Sequence, residues 1–235
     1  MIKPTAKERL TDKILVEQTP NHLHVQFDTP YQVISSGVLG GGFVEASHIL
    51  NLKVAKQSAG LNPVFKSPDA ELSGYCEKYG WKGVAVGMMT AASMDSYRMA
   101  RTTHQGIDVF VLATVGLSNT RRAGDYAEHR EIIPAVADVG TINIICLTSM
   151  GMVPAAMIEA VMTATEAKTA ALQNLGIKSP VSNAPATGTG TDAIAVAADP
   201  QAYKIQYCGK HVLFGELLAN LVIEAVTASI KGTYP

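Results

Sequence analysis

The chain of 235 residues is 47% hydrophobic and 17% charged, with a formal net charge of −1. This composition is sufficient to bury a sizeable core in a single compact domain. The near-neutral charge excludes the basic surface of a nucleic-acid-binding or polybasic membrane-surface protein, so we expect small molecules or further copies of the chain as partners.

The N-terminus and the cysteines indicate the compartment. Residues 1–20 are charged throughout and lack the apolar core of a secretory signal, so we expect an N-terminal extension over 1–20 and one domain over 21–235. Elsewhere the apolar runs are interrupted before the ~18 to 20 residues that a membrane helix requires. The three cysteines are widely spaced, which favours reduced thiols. These features predict a cytoplasmic protein that does not associate with a membrane.

Strand patterns dominate the first part of the chain. Residues 23–27 alternate apolar and polar side chains, and YQVIS follows at 31–35, which predicts a strand pair or hairpin. The stretch SSGVLGGG comes next at 35–42. Its three consecutive glycines allow the backbone to approach another surface closely. SHILNLKV at 47–54 predicts a further strand.

A helix and two buried strands are predicted next. The helix covers about 68–79, because a capping serine precedes it, a proline and an aspartate stand in its first turn, and a glycine ends it. VAVGMMTAA at 84–92 and IDVFVLATVGLSN at 107–119 each predict a buried strand that runs into a loop of small residues. The stretch at 120–140 is the longest polar connection.

Strands and helices continue to alternate to the end of the chain. TINIICLTS at 141–149 predicts a buried strand, and Pro154 opens a long helix through about residue 175. A strand at 193–198, a short strand around 204–208 and a helix at about 211–230 follow.

This element order predicts an α/β or α+β fold, in which a mixed β-sheet is covered by helices in a single compact domain. Ligands in such sheets bind at strand ends. The predicted loops there are rich in glycine, threonine and asparagine, so we expect the functional site among them.

The stretch TGTGTD at 187–192 is the strongest local candidate. Its backbone N–H groups could form a nest that binds an anion or polarises a carbonyl, with hydroxyls as further donors. The Gly-Lys-Ser/Thr ending of a nucleotide-binding loop does not occur in it. A tight turn is the alternative, but five small or hydroxylated residues exceed what a turn needs. We therefore favour a ligand role.

Three titratable residues are candidates for catalysis. Asp192 precedes an apolar strand, where partial burial would suit a general base, although a structural role in the loop is an equal alternative. His211 begins the last helix, either as a surface residue or as an acid or base at the rim of a site. Glu216 lies about one turn further on, whereas the rest of its polar stripe is expected to face solvent.

The earlier long helix carries a similar polar stripe. Its members Thr163, Glu166, Thr169 and Gln173 are expected to face solvent. Glu166 and Lys168 are weaker site candidates.

Two histidines and two asparagines could have either structural or functional roles. His22 and His24 share one face of a predicted strand, but spacing places no third ligand beside them, so we expect no metal site. Asn119 and Asn143 follow or interrupt buried strands, where an unpaired amide is unfavourable. Each therefore either ties loops together or donates to a ligand.

Six sequence blocks occur in the order seen in one protein family. They are VGMMTAA (86–92), ATVGLSN (113–119), GTINIIC (140–146), ATEAKTAAL (164–172), ATGTGTDAI (186–194) and CGKHVLFGELLA (208–219). With SSGVLGGG before them, they make nearly the whole chain resemble the adenosylcobinamide amidohydrolase family. The combination is far more specific than any single block.

The resemblance implies a corrinoid-salvage enzyme. Such an enzyme hydrolyses the secondary amide that joins aminopropanol to the corrin of adenosylcobinamide, giving adenosylcobyric acid and 1-aminopropan-2-ol. The cobalt would enter with the substrate, so no cofactor of the protein's own is expected. An alternative is a carrier or sensor that binds a corrinoid without hydrolysing it.

Amide hydrolysis requires an activated nucleophile, a stabilised oxyanion and a proton for the departing amine. From chemistry and position, we assign water activation to Asp192 or Glu216, amine protonation to His211, and oxyanion stabilisation to residues 187–191. A threonine nucleophile is disfavoured, because nothing beside it in the sequence reads as an activating base. The expected substrate-binding residues are Gly40, Gly41, Gly42, Met89, Thr90, Asn119, Asn143, Thr187, Gly188, Thr189, Gly190 and Thr191.

Overall fold

The structure, a computed structural model, describes residues 6–54, 67–127 and 141–233. Its strands are β1 (Ala6–Arg9), β2 (Ile14–Gln18), β3 (His22–Ser35), β4 (Gly42–Lys53), β5 (Ala85–Thr90), β6 (Arg98–His104), β7 (Ile107–Val115), β8 (Thr120–Arg121), β9 (Ile142–Thr148), β10 (Gly151–Met152), β11 (Gly188–Thr189), β12 (Ala193–Ala198) and β13 (Lys204–Ile205). Its helices are α1 (Pro68–Lys78), α2 (Pro154–Asn174) and α3 (Leu213–Thr233).

Nine of the described strands form one mixed sheet. Its main path runs β1-β2-β3-β12-β9-β7-β6, while β4 pairs with the other edge of β3, and β5 pairs with β4. The β12–β9 and β4–β5 pairs are parallel, and the remaining pairs are antiparallel. The long strand β3 therefore joins the two halves of the sheet.

The sheet curls so that these two halves face each other across an apolar core. Ile49 of β4 and Met88 of β5 pack in the same cluster as Leu112 of β7, Ile145 of β9 and Ala195 of β12. A polar link between the halves lies beside this core, where Asn51 of β4 donates to the Thr114 hydroxyl of β7 at 2.8 Å. The curl thus brings together strand ends that are remote in the chain.

Helices cover both outer faces of the curled sheet. α2 and α3 pack on one face in a second apolar cluster, and α1 packs on the other through Leu72 and Cys76. The buried face of α2 is a stripe of alanines that includes Ala156, Ala160 and Ala164. Small side chains at this helical spacing let the helix lie close to the strands.

Most of the predicted elements are present with nearly the predicted bounds. The expected helices at 68–79, 154–175 and 211–230 correspond to α1, α2 and α3, and the strand at 193–198 is β12. The predicted fold class, a mixed sheet covered by helices in a single domain, is confirmed. The predicted polar connection at 120–140 lies outside the described residues from 128 onward.

The strands depart from the sequence-based expectations in three places. The expected hairpin at 23–35 is the single strand β3, because an irregularity between Gln26 and Tyr31 absorbs Pro30 without a chain reversal. β6 was not predicted, since it is a half-exposed edge strand that alternates weakly. Residues 6–18, assigned by sequence to an extension, form β1 and β2 and join the sheet next to β3.

The expectation that apolar runs fall short of membrane-helix length fails for α3. By length and composition alone, this helix of 21 residues could cross a membrane. Leu218, Val222 and Val226 on its inner face are buried in the cluster shared with α2 and the sheet. A helix that covers a sheet in a folded core passes the same test, so α3 is accounted for by its packing.

Candidate active site

The candidate site lies at one end of the sheet, where β9 and β12 begin and β7 ends. Asn143 of β9 lies beside Ala193 of β12 on one side and Thr114 of β7 on the other. The threonine-rich stretch at 187–192 comes directly before β12. It is therefore held at this end of the sheet by the parallel β9–β12 pair.

A buried ion pair between Lys168 and Asp192 is the centre of the site. The ammonium of Lys168 lies 2.5 Å from Asp192 Oδ2, and the two side chains are only 7% and 11% exposed. Lys168 reaches this end because α2 starts at Pro154, beside the opposite end, and runs back ~21 Å along the sheet before Lys168. Among the described residues, Asp192 is the one hydrogen-bond partner of the ammonium.

The Asp192 carboxylate also organises the preceding loop. Its Oδ1 accepts from the Ile142 backbone N–H at 3.0 Å and from the Thr189 hydroxyl in a very short hydrogen bond. The Thr189 backbone N–H also points at the carboxylate, 3.1 Å from Oδ2. The Asp192 side chain thus connects the start of β9, the threonine loop and Lys168 of α2.

The backbone N–H groups of the loop are largely committed to the fold. Thr187 donates to Arg121 O, Gly190 donates to Asn119 O, and Thr189 donates to Asp192, at 2.9, 3.2 and 3.1 Å. The Thr191 N–H points at the Thr189 hydroxyl at 3.5 Å. The sequence-based picture of a nest of available donors over 187–191 therefore finds little support in this geometry.

The hydroxyls of the loop differ in their surroundings. Thr187 Oγ1 accepts from the Ala123 N–H at 2.8 Å, and Thr191 Oγ1 shares a hydrogen bond of 2.8 Å with Thr141 Oγ1. The Thr189 hydroxyl, in contrast, donates to the Asp192 carboxylate. The loop therefore contains a hydroxyl with a basic partner.

Gly188 is required by the ion pair. A Cβ added at Gly188 would overlap Asp192 Oδ2 and lie 2.8 Å from Lys168 Nζ. At Gly190, a Cβ would meet Asn119 Nδ2 at 3.2 Å. Because these two glycines have no Cβ, they leave room for the side chains of Asp192, Lys168 and Asn119.

A buried amide network lies beside β9 and connects the two halves of the sheet. Asn143 Nδ2 donates to Asn51 Oδ1 at 2.8 Å and to Met89 O at 2.9 Å. Asn143 is 1% exposed, and its Oδ1 has no hydrogen-bond partner among the described residues. Thr90 is equally buried and caps a turn by accepting from the Ala92 N–H. Asn143 therefore ties elements together and keeps one free acceptor.

The triple glycine adjoins this end of the sheet through its neighbours. Leu39 exchanges backbone hydrogen bonds with Gly87 of β5, and Ser36 accepts from the Ile194 N–H at 3.1 Å, two residues after Asp192. Gly40 and Gly42 have φ of 60° and 88°, the left-handed region that favours glycine, and Gly41 is exposed. The loop bridges β12 and β5.

The structure does not bring His211 and Glu216 to the ion pair. Both are exposed and follow β13, which pairs with β10 at the far end of β9. Cys208, just before them, is held to Glu159 and Thr163 in the first half of α2. Lys210, next to His211, pairs with Glu166 on the exposed side of α2. This placement gives no support to the catalytic roles assigned to the two residues.

His22 and His24 belong to a separate aromatic cluster under α1. His24 stacks on Trp81 with ring centroids 3.6 Å apart and bonds to His48 at 3.1 Å, while His22 bonds to Tyr75. Burial, together with the neighbouring His48, lowers the pKa of His24 to about 3. Across residues 6–54, 67–127 and 141–233, potential metal-ligating side chains do not group in threes or more.

Sequence reasoning underestimated α2 and missed Asn51 and Thr114. Of the stripe expected in solvent, Thr163 is buried and donates to Cys208 O, while Glu166 is exposed and pairs with Lys210. Lys168 was ranked as a weak candidate. Its sequence signal is its position, four residues after Ala164 and three before Ala171, which places it on the buried alanine stripe.

Known proteins are similar to this chain over nearly its whole length. A family model described as adenosylcobinamide amidohydrolase matches residues 5–234. An uncharacterised protein of Methanocaldococcus jannaschii is 29% identical, covering 92% of this chain and 88% of its own. An adenosylcobinamide amidohydrolase of Methanosarcina mazei is 28% identical, covering 86% and 90%. The solved structure of a Burkholderia sp. beta-aminopeptidase has a TM-score of 0.44 at 12% identity, covering 96% of this chain and 81% of that one.

Proposed function

We propose that this chain, which belongs to the adenosylcobinamide amidohydrolase family, hydrolyses the amide between the corrin and the aminopropanol arm of adenosylcobinamide. The products would be adenosylcobyric acid and (R)-1-aminopropan-2-ol. The family match over residues 5–234 supports the reaction class. The buried Lys168–Asp192 pair with the Thr189 hydroxyl on its carboxylate is the structural observation that carries the proposal.

The three groups of this cluster suit the three requirements of amide hydrolysis. A carboxylate can take and return a proton, a hydroxyl can be activated by it, and a fixed positive charge can stabilise the oxyanion. Lys168 uses one of its three N–H groups on Asp192. The other two can meet the carbonyl oxygen of the scissile amide. Because the pair is nearly excluded from water, its charge acts on the substrate with little screening.

We place the corrin disc over the surface between the triple glycine and the threonine loop. Val38, Phe43 and Val84 around the glycines are about half exposed, at 56%, 49% and 51%. Apolar side chains of this kind can cover the face of a macrocycle. The peripheral amides of the disc then require polar partners, and Asn119, Asn143 and the loop threonines remain our candidates. The corrinoid carries its own cobalt into the site.

The reaction is tested by incubating the protein with adenosylcobinamide and measuring adenosylcobyric acid by mass and aminopropanol by derivatisation. We expect both products from the wild type and a loss of at least ~100-fold in kcat for Asp192→Asn. Asp199→Asn is the matched control, because Asp199 is 3% exposed and paired with Lys13 at 2.6 Å near the other end of β12. Binding of adenosylcobinamide without release of aminopropanol would contradict the proposal and favour a carrier or sensor.

A further inference from the structure

We infer that Thr189 is the nucleophile of the reaction and that hydrolysis passes through an ester on its side chain. The inference rests on the proposed function and names the group that attacks the amide. It reverses the expectation from the sequence, which disfavoured a threonine nucleophile because an activating base was not evident. The structure supplies that base as Asp192, whose Oδ1 accepts the Thr189 hydroxyl.

The hydrogen bonds of Asp192 decide between a water and a side chain as nucleophile. An ionised carboxylate offers about four lone-pair sites. Donors in the fold occupy all of them, namely the Lys168 ammonium, the Ile142 N–H, and the N–H and hydroxyl of Thr189. A water could be activated only by displacing one of these donors. The Thr189 proton can pass to the carboxylate along a hydrogen bond that already exists.

The other donors to the carboxylate do not compete for this role. A backbone N–H is not a nucleophile, and the Lys168 nitrogen is engaged with Asp192 in an ion pair. The Thr187 hydroxyl accepts from the Ala123 N–H, and the Thr191 hydroxyl shares a hydrogen bond with that of Thr141. Thr189 is half-buried and lies in β11, which pairs with β8 and fixes its backbone. Its oxygen is therefore both activated and positioned.

In the first step, Thr189 Oγ1 attacks the amide carbon, and its proton moves to Asp192. The carbon–nitrogen bond then breaks, and Asp192 returns the proton to the departing amine, which leaves as aminopropanol. In the second step, a water attacks the ester carbon and gives a proton to Asp192. The bond to Thr189 breaks, its oxygen recovers the proton from Asp192, and adenosylcobyric acid leaves. Lys168 remains charged throughout and stabilises both oxyanions.

The ester is tested by quenching wild-type turnover in acid and recording the intact protein mass. We expect a species heavier than the free protein by adenosylcobyric acid minus one water, located on Thr189 by peptide mapping. It should be absent from Thr189→Val. With hydroxylamine present, wild-type turnover should yield the corrin hydroxamate as well as the acid.

Variants separate chemistry from loop structure. We expect Thr189→Val to lower kcat at least ~10³-fold, and Thr189→Ser, which keeps a hydroxyl, to stay within ~10-fold of wild type. Thr165→Val is the control, because the exposed Thr165 hydroxyl donates within α2, to Val161 O. Turnover by Thr189→Val within tenfold of wild type, or rapid turnover that yields neither ester nor hydroxamate, would overturn Thr189 as nucleophile and leave the proposed function standing. Absence of products from the wild type would overturn both.

Discussion

A single methyl group added at Gly188 should separate Lys168 from Asp192 without removing any atom of the proposed site. The new Cβ would lie 2.8 Å from Lys168 Nζ, where ordinary contact begins at 3.4 Å, and would overlap Asp192 Oδ2. To remove this overlap, the Asp192 carboxylate must move by ~1 Å, because the other atoms around it belong to the backbone of β11 and β9, which moves less easily. A misplacement of ~1 Å in a positioned catalytic group lowers the rate by ~100-fold, so we expect this loss in kcat for Gly188→Ala.

The stability of the variant should fall as well. Overpacking of a well-filled site lowers the free energy of unfolding by ~1–3 kcal/mol, which corresponds to a fall in Tm of roughly 2–12 °C for a chain of this size. Gly74→Ala in α1 is the control, because a Cβ there meets nothing within 4 Å. Inside a helix, alanine is more stabilising than glycine by ~0.5–1 kcal/mol. Kinetics with adenosylcobinamide and thermal unfolding decide the matter. Wild-type kcat and Tm for Gly188→Ala would refute the reasoning.

Three further predictions follow from burial and placement. Lys168→Met leaves a buried carboxylate without its positive partner and should lower the free energy of unfolding by ~3–5 kcal/mol. Lys210→Met, at an exposed ion pair, should leave Tm unchanged. Equal effects of the two substitutions in urea unfolding would contradict this. The pKa of His24 is about 3 when folded and ~6.5 when unfolded, so its stabilising contribution is complete above pH 6.5 and lost as the pH falls. Between pH 7.5 and 5, the wild type should lose ~2 kcal/mol more than His24→Phe in urea unfolding, and an identical pH dependence would exclude His24 as the cause. His211→Ala and Glu216→Ala should retain kcat within about threefold, and a large loss in either would show that the far end of the sheet takes part in catalysis.

The helices were predictable from the sequence because local signals bound them. Pro154 begins α2, and Gly176, with a φ of 67°, follows its last turn. β3 was not predictable in the same way, since Pro30 reads as a break in a strand. The strand continues because an irregularity in its pairing with β4 accommodates the proline, and its partner on the other side changes there from β2 to β12. Such compensation depends on strands elsewhere in the chain.

The candidate site was predictable in part. Asp192 and the loop threonines were found because an unusual local composition marks them. Their partners were not, since Lys168 lies 24 positions earlier, and Asn51 meets Asn143 across 92 positions. The second contact arises only when the sheet curls and β5 approaches β9. Periodicity predicts the elements of a curled sheet, whereas the meeting of its two halves is a property of the packed core.

Lys168 shows what a sequence pattern can still reveal about such a site. The helix was expected to expose its polar stripe, and Lys168 lay outside that stripe, among alanines that are fully buried in the structure. A charge on the buried face of a helix is too unfavourable to persist without a partner. A lysine in register with an alanine stripe therefore predicts a carboxylate opposite it. In this chain, Asp192 occurs where the TGTGT stretch meets β12, so the small residues that mark the loop also make room for the pair.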